Sequence, residues 1–391
     1  MKLLVKKSQL DGVIAVPGSK SHSIRAVAAA TMAAGRSTIY APLESEDTRS
    51  CLNAAMKLGI QVKEYANRWE ITGTGGKFVN PGNTIDMGNS GTSLRIFSGL
   101  CATAGFQVDF DGDSSLRTRP MEPLLSALEM LGVKTSSSNG KCPLSIHGPL
   151  RGGKTRVNGK SSQFLTALLF AAPTAENDTE IEVYNLNERP YVEITLGWLD
   201  RLGIKYECAA DMSWFKIPGR QRFPAFDWTI PADFSTSAFP LAAGAVTGGT
   251  VAIRNLDFND LQGDKAVFDY FKQMGAKINR GENSTEISGG AVLHGINIDL
   301  NATPDALPIM AVAGAVAQGT TRLLNVPQAR IKETDRIACM TAELRKMGAD
   351  ITELEDGMVI NGGQLHCAEV NGHGDHRIVM ALAIAGMTAD G

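Results

Sequence analysis

The sequence predicts an α/β (α+β) chain of two similar domains. Each is built of three β/α repeat units around buried Ala/Gly-rich helices, in the manner of an inside-out α/β barrel. Three observations carry this. A helix-glycine-strand element recurs at a fixed period, a second element rich in small residues interleaves with it, and 391 residues exceed what one core usually fills.

The first element is a leucine- or methionine-ended helix, a glycine, and a short alternating strand. Its glycines are Gly59, Gly132, Gly203, Gly275 and Gly348, spaced by 73, 71, 72 and 73 residues. Glycine just past the last helical residue supplies the left-handed turn that stops a helix, and a period-two stretch after it is a strand. The second element starts near Ser23, Ser93, Gln163, Ser237, Ala306 and His376. These helices are small and apolar all round, so they belong inside a domain. The first element's helices carry charges and belong outside, or against sheets.

Six units over two domains give three each. The expected boundaries are residues 19–231 for one domain and 1–18 plus 232–391 for the other, with an N-terminal strand over residues 2–16 closing the second. The two crossings, near Pro17–Lys20 and Pro231–Asp233, read as a hinge, and hinged domains close on a ligand held in the cleft. The sixth copy stops at Gly391, where the strand that follows the other inner helices should begin; this reads as a truncated chain.

Composition narrows the function. Hydrophobic residues make up 43% and charged residues 20%, as in ordinary globular proteins, and the net charge is −3. Nothing global draws in nucleic acid or an anionic membrane. No run approaches a membrane span, and the N-terminus has no leader pattern, so a cytoplasmic protein is expected. The six cysteines form no C-x-x-C pair and read as free, mostly buried thiols. The histidines lack metal-ligand spacing, so no metal is expected. Thr72-Gly73-Thr74-Gly75-Gly76 precedes no helix ending in Lys-Ser/Thr and reads as a strand-end turn.

Chemistry concentrates at the inner-helix N-termini. The segments hold Lys20, Ser21 and Arg25; Asn89, Ser90, Gly91, Thr92 and Arg95; Ser161, Ser162 and Gln163; Asp233 and Ser235; Asp305; and Asp375, His376 and Arg377. Taken singly, the Ser, Asp and Asn residues are ordinary N-caps. The cations are not, because the helix dipole disfavours them in a first turn. Lys20, Arg25, Arg95 and Arg377 therefore imply an anion, as do Arg117, Arg119, Lys332 and Arg336 where outer helices begin. Unpaired N–H groups with Lys and Arg make an anion site, and Arg adds bidentate recognition of carboxylate or phosphate. Asp305 and Glu333 supply acid/base groups.

The segments P-G-S-K-S-x-x-x-R at 17–25, G-N-S-G-T-S-L-R at 88–95, R-P at 119–120, S-S-Q at 161–163, P-D-A at 304–306, K-E-T-D-R at 332–336 and D-H-R at 375–377 resemble the 5-enolpyruvylshikimate-3-phosphate synthase family along the whole chain. The resemblance implies the enolpyruvyl transferase fold and transfer of the enolpyruvyl group of phosphoenolpyruvate to shikimate 3-phosphate, without cofactor. It implies proton transfers by Lys20, Asp305 and Glu333. Shikimate 3-phosphate would meet Lys20, Ser21, Arg25, Ser161, Ser162, Gln163, Asp305 and Lys332. Phosphoenolpyruvate would meet Lys20, Gly91, Arg119, Gln163, Arg336 and Arg377. A monomer acting on small molecules is expected, with no nucleic-acid or membrane partner.

Two departures from the family pattern stand out. Glu188 takes the place of a serine that helps bind the substrate phosphate, and the chain stops before a strand that carries a phosphoenolpyruvate-binding lysine. The alternatives are a carboxyvinyl transferase with another hydroxylated acceptor and a non-catalytic anion-binding relic of the fold. The sister transferase acting on UDP-N-acetylglucosamine usually carries a cysteine before its Arg-Pro, where this chain has Ser114.

Overall fold

Every outer helix stops at its glycine. Numbered along the chain, the helices are α1 Lys20–Met32, α2 Glu46–Lys57, α3 Gly91–Cys101, α4 Glu122–Met130, α5 Ser162–Ala171, α6 Arg189–Arg201, α7 Phe234–Thr247, α8 Ala266–Gln273, α9 Leu307–Val316, α10 Arg336–Lys346 and α11 His376–Thr388. The even-numbered helices through α10 each end in a buried Leu or Met cap and then a glycine. Those glycines have φ of 87° at Gly59, 90° at Gly132, 68° at Gly203, 102° at Gly275 and 89° at Gly348. The left-handed geometry is the requirement that made the repeat visible in the sequence.

This computed structural model describes residues 2–282 and 284–391. They form two compact units, Gly18–Pro231 and the residues up to Pro17 with Ala232–Gly391. In the first, Ser19 N donates to Pro231 O at 2.8 Å, and in the second, Asp233 N donates to Pro17 O at 2.9 Å. Each unit is thus tied at its chain ends.

The first unit has three sheets of one design. A short strand runs parallel to the strand leaving an inner helix, which pairs antiparallel with the second strand of a hairpin. The middle example is Ile85–Asp86 beside Gln107–Asp111, then Lys141–His147 and Lys134–Ser138. Gly153–Asn158, Thr179–Tyr184, Trp214–Ile217 and Glu207–Cys208 repeat it. So do Asp227–Thr229, Ala33–Tyr40, Arg68–Thr74 and Gln61–Tyr65. Alternation follows the pleat, with Trp69 and Ile71 buried and Arg68, Glu70 and Thr72 not. Among its described residues the second unit holds two further copies. One is Gly12–Ala15, Thr250–Arg254, Ser284–Ser288 and Lys277–Arg280, and the other is Asn297–Asp299, Thr320–Leu324, Gly357–Asn361 and Asp350–Leu354. After α11 the described residues form only an isolated bridge, His366 to Asp390.

The small-residue helices are interior. Ala26 to Ala30 of α1 are fully buried, as are Ile309 to Ala313 of α9. α3 packs on both α1 and α5, while α7, α9 and α11 pack on one another. A Cβ on Gly99 of α3 would lie 2.5 Å from Ala167 O of α5, so that contact requires glycine.

Two expectations change. The N-terminal strand covers only Gly12–Ala15 rather than residues 2–16. Earlier residues find no partner strand among those described and are held by single bonds, such as Ser8 N to Met387 O and Leu10 N to Thr247 Oγ1. Of the six free cysteines, Cys51, Cys101 and Cys142 are buried, Cys339 is half-buried, and Cys208 and Cys367 are exposed.

Candidate active site

In the first unit, the sequence-derived residues gather at the N-termini of α1, α3 and α5. Ser19 caps α1 by accepting from His22 N. Lys20 follows, half-buried, with Nζ 3.6 Å from Asp47 Oδ2. Asp47 lies in the first turn of α2, and its carbonyl accepts from Ser93 Oγ of α3 at 3.1 Å. One residue thus links Lys20 to the second inner helix.

Ser90 caps α3, and Gly91 opens it. A Cβ on Gly91 would lie 3.0 Å from Arg119 Nη1 and 3.3 Å from Arg95 Nη1. Both guanidiniums therefore lie against this helix start, and Arg95 and Arg119 are buried. Arg95 donates to Gln163 Oε1 of α5 and to Pro120 O. Arg119 donates to Asn89 O at 3.1 Å, to Asn89 Oδ1 and to Ser115 Oγ. The Asn89 amide donates to Asp113 Oδ2 at 2.8 Å, which turns its oxygen toward Arg119. Gly91, Arg95, Arg119 and Gln163 are therefore one cluster, with Nε of Arg119 buried and not hydrogen-bonded.

At α5, Ser161 is the N-cap but makes no side-chain capping bond. That role falls to Glu188, which is 1% exposed; its Oε2 accepts from Ser162 N at 3.2 Å and from Ser162 Oγ at 2.7 Å. Arg25 is fully buried nearby. It donates to Thr195 Oγ1, Thr166 Oγ1, Tyr191 O and Ser21 O, which pins α1 to α5 and α6. Burial lowers its guanidinium to about 10, against the raising influence of Tyr191 and Glu188.

In the second unit, three segments meet on Arg336, which opens α10 under the N-cap Asp335. Asp375, the N-cap of α11, binds Arg336 Nε at 2.7 Å and Nη2 at 3.3 Å. Asp305, in the short 3₁₀ helix Pro304–Ala306, binds Nη1 at 2.8 Å, and Glu333 binds Nη2 at 2.7 Å. Burial alone would lower the Arg336 guanidinium, but Glu333, Asp375 and Asp305 outweigh it and raise it above its ordinary range. Arg377 Nη2 completes the cluster, 2.9 Å from the other oxygen of Asp305. Lys332 is half-buried beside Glu333. Among the described residues no group of three His, Cys, Asp or Glu side chains is placed to hold a metal ion.

The geometry corrects one argument from the sequence. Arg25 and Arg95 are the sixth and fifth residues of their helices, not first-turn cations. Each is met by protein acceptors, so neither needs a bound anion to offset a helix dipole. Sequence reasoning also missed Asp47, an acid in the first turn of α2, and the orienting role of Asn89. Asp375 was noticed only as a helix-start residue.

The model of the family described as EPSP synthase (3-phosphoshikimate 1-carboxyvinyltransferase) matches residues 4–391. A 3-phosphoshikimate 1-carboxyvinyltransferase of Acetivibrio thermocellus is 47% identical over 394 residues, spanning 100% of this chain and 92% of the relative. One of Ruminiclostridium cellulolyticum is 48% identical over 396 residues, spanning 100% and 93%. The solved EPSP synthase of Acinetobacter baumannii superposes with a TM-score of 0.82 at 28% identity, covering 99% of this chain and 92% of that one. With its repeat-built units and both side-chain clusters on α/β scaffolds of this kind, the chain belongs to the EPSP synthase (3-phosphoshikimate 1-carboxyvinyltransferase) family.

Proposed function

We propose that this enzyme transfers the enolpyruvyl group of phosphoenolpyruvate to the 5-hydroxyl of shikimate 3-phosphate and releases phosphate, the carboxyvinyl transfer of the shikimate route to aromatic amino acids. The observation that carries this reading is the family match over residues 4–391. The site assignments are those that the resemblance to the family implies, and side-chain chemistry supports them.

The reaction needs a proton delivered to the methylene carbon of phosphoenolpyruvate as the hydroxyl oxygen attacks the adjacent carbon and loses its own proton. The resulting tetrahedral adduct then loses a proton from the new methyl group as the carbon–oxygen bond to phosphate breaks. The resemblance assigns Lys20, Asp305 and Glu333 to these transfers, and their titratable atoms and partial exposure fit that role. Lys20, Gly91, Arg119, Gln163, Arg336 and Arg377 are assigned to phosphoenolpyruvate, whose phosphate and carboxylate suit guanidinium forks. Lys20, Ser21, Arg25, Ser161, Ser162, Gln163, Asp305 and Lys332 are assigned to shikimate 3-phosphate. The same reading makes the protein a cytoplasmic monomer working on small molecules. No helix among the described residues is long and apolar enough to cross a membrane.

The test is inorganic phosphate release from phosphoenolpyruvate, with and without shikimate 3-phosphate. Release that depends on shikimate 3-phosphate is expected. Phosphoenolpyruvate binding without such release would point to another acceptor alcohol, and no binding of phosphoenolpyruvate would overturn the transferase reading.

A further inference from the structure

The N-terminus of α5 already holds an anion that belongs to the chain itself. Glu188 sits at the N-cap of α6 with a left-handed backbone, φ 59° and ψ 41°, and makes no capping bond to that helix. Its side chain instead turns to α5 and takes both donors of Ser162, the backbone N–H and the hydroxyl. Negative charge is favourable there, since the first N–H groups of a helix point outward and carry partial positive charge. Glu188 is also a counter-charge for Arg25.

We propose that Glu188 is a built-in competitor at the phosphate subsite of α5, and so a determinant of which acceptor the enzyme takes. The inference rests on the proposed assignment of Ser161 and Ser162 to shikimate 3-phosphate. One N–H and one O–H cannot serve a carboxylate and a phosphate dianion together, and repulsion between two anions at hydrogen-bond distance is strong in a buried setting. The phosphorylated acceptor therefore gains Ser162 only as the Glu188 carboxylate withdraws. The exchange leaves Arg25 beside an anion throughout, because the phosphate brings the charge that Glu188 removes. An unphosphorylated acceptor requires no such exchange.

Glu188→Gln tests this, because it keeps the shape and an acceptor for Ser162 but removes the charge. Glu188→Asp draws the carboxylate back by one methylene while keeping a charge near Arg25, and it carries the test should the glutamine variant not fold. Two quantities are read: the Kd for inorganic phosphate, by calorimetry, and the KM and kcat with shikimate 3-phosphate. The expected result is phosphate binding about tenfold tighter in the glutamine variant, the scale of one lost charge-assisted contact in a binding equilibrium. KM for shikimate 3-phosphate falls with it by more than kcat changes, and the aspartate variant shifts less in the same direction. Unchanged or weaker phosphate binding in both variants would overturn the proposal and leave Glu188 as a structural counter-ion. Tighter phosphate binding, with no phosphate release on adding shikimate 3-phosphate to any variant or to the wild type, would uphold the competitor and overturn the acceptor reading.

Discussion

Asp375 grips Arg336 with both oxygens, at 2.7 Å and 3.3 Å, and the two side chains are 0% and 1% exposed. The same carboxylate accepts from Arg377 N at 2.8 Å as the N-cap of α11. One side chain therefore sets the guanidinium of Arg336 and the backbone of Arg377. Removing it leaves a buried cation with reduced compensation and a helix without its cap. Asp375→Ala is expected to lower unfolding stability by about 3–5 kcal/mol, the usual loss when one member of a buried ion pair is deleted. Urea titration of the two proteins checks this. A midpoint equal to wild type would show that Glu333 and Asp305 suffice to hold Arg336.

Asp305 differs from Asp375 in being partly exposed, at 17%. It bridges Arg336 and Arg377 by separate oxygens, yet Arg336 keeps Glu333 and Asp375 without it. Asp305→Ala should therefore fold. If Asp305 moves a proton in the reaction, phosphate release falls by roughly 10²–10⁴-fold, the range for a positioned acid or base. Stability and turnover measured side by side separate the two roles. A wild-type rate would remove Asp305 from the chemistry.

Gly91 has no room for a side chain without moving Arg119 and Arg95. Gly91→Ala shifts both guanidiniums by a few tenths of an ångström. An oriented anion contact is sensitive to such shifts, so KM for phosphoenolpyruvate should rise about tenfold. KM for shikimate 3-phosphate should change less. Equal changes in both would mean a general distortion of α3.

The fold was largely legible because its repeat is enforced locally. A left-handed turn after each outer helix demands glycine, and five such demands at one spacing cannot hide in a sequence. The inner helices were legible because alanine and glycine let α3 lie against α5 at Gly99. The site was legible only as a set of residue types. That Arg336 would be enclosed by Asp305, Glu333 and Asp375 depends on three segments meeting, and no local pattern records it. Glu188 read as a misfit beside a phosphate, yet its reach of 26 residues back to Ser162 is a tertiary fact. Arg25 and Arg95 were placed one turn too early because helix starts were judged from polarity. The cap residues Ser19 and Ser90 set the true starts.

Glu343 supplies a pH dependence whose sign is fixed by its surroundings. It lies on α10 and is 2% exposed. Its carboxylate accepts from Lys346 Nζ at 2.7 Å and from Asn371 N at 2.8 Å, and it lies 2.8 Å from His373 Nε2. It thereby holds the segment that leads to Asp375 and α11. Burial by itself would raise this carboxyl, but the bonds from Lys346, Asn371 and His373 prevail and hold it below its ordinary value of 4.5. A depressed carboxyl binds fewer protons folded than unfolded. Its contribution to stability is thus fully present above about pH 4.5 and is lost as pH falls through the folded value. Glu343→Gln should cost about 1–3 kcal/mol near neutral pH, the scale for hydrogen bonds to a buried charge. The gap from wild type should close in acid, as the wild-type carboxyl takes up its proton. Urea midpoints of both proteins from pH 7 to pH 3 read this out. A gap that stays constant over that range would assign the loss to amide geometry and not to charge.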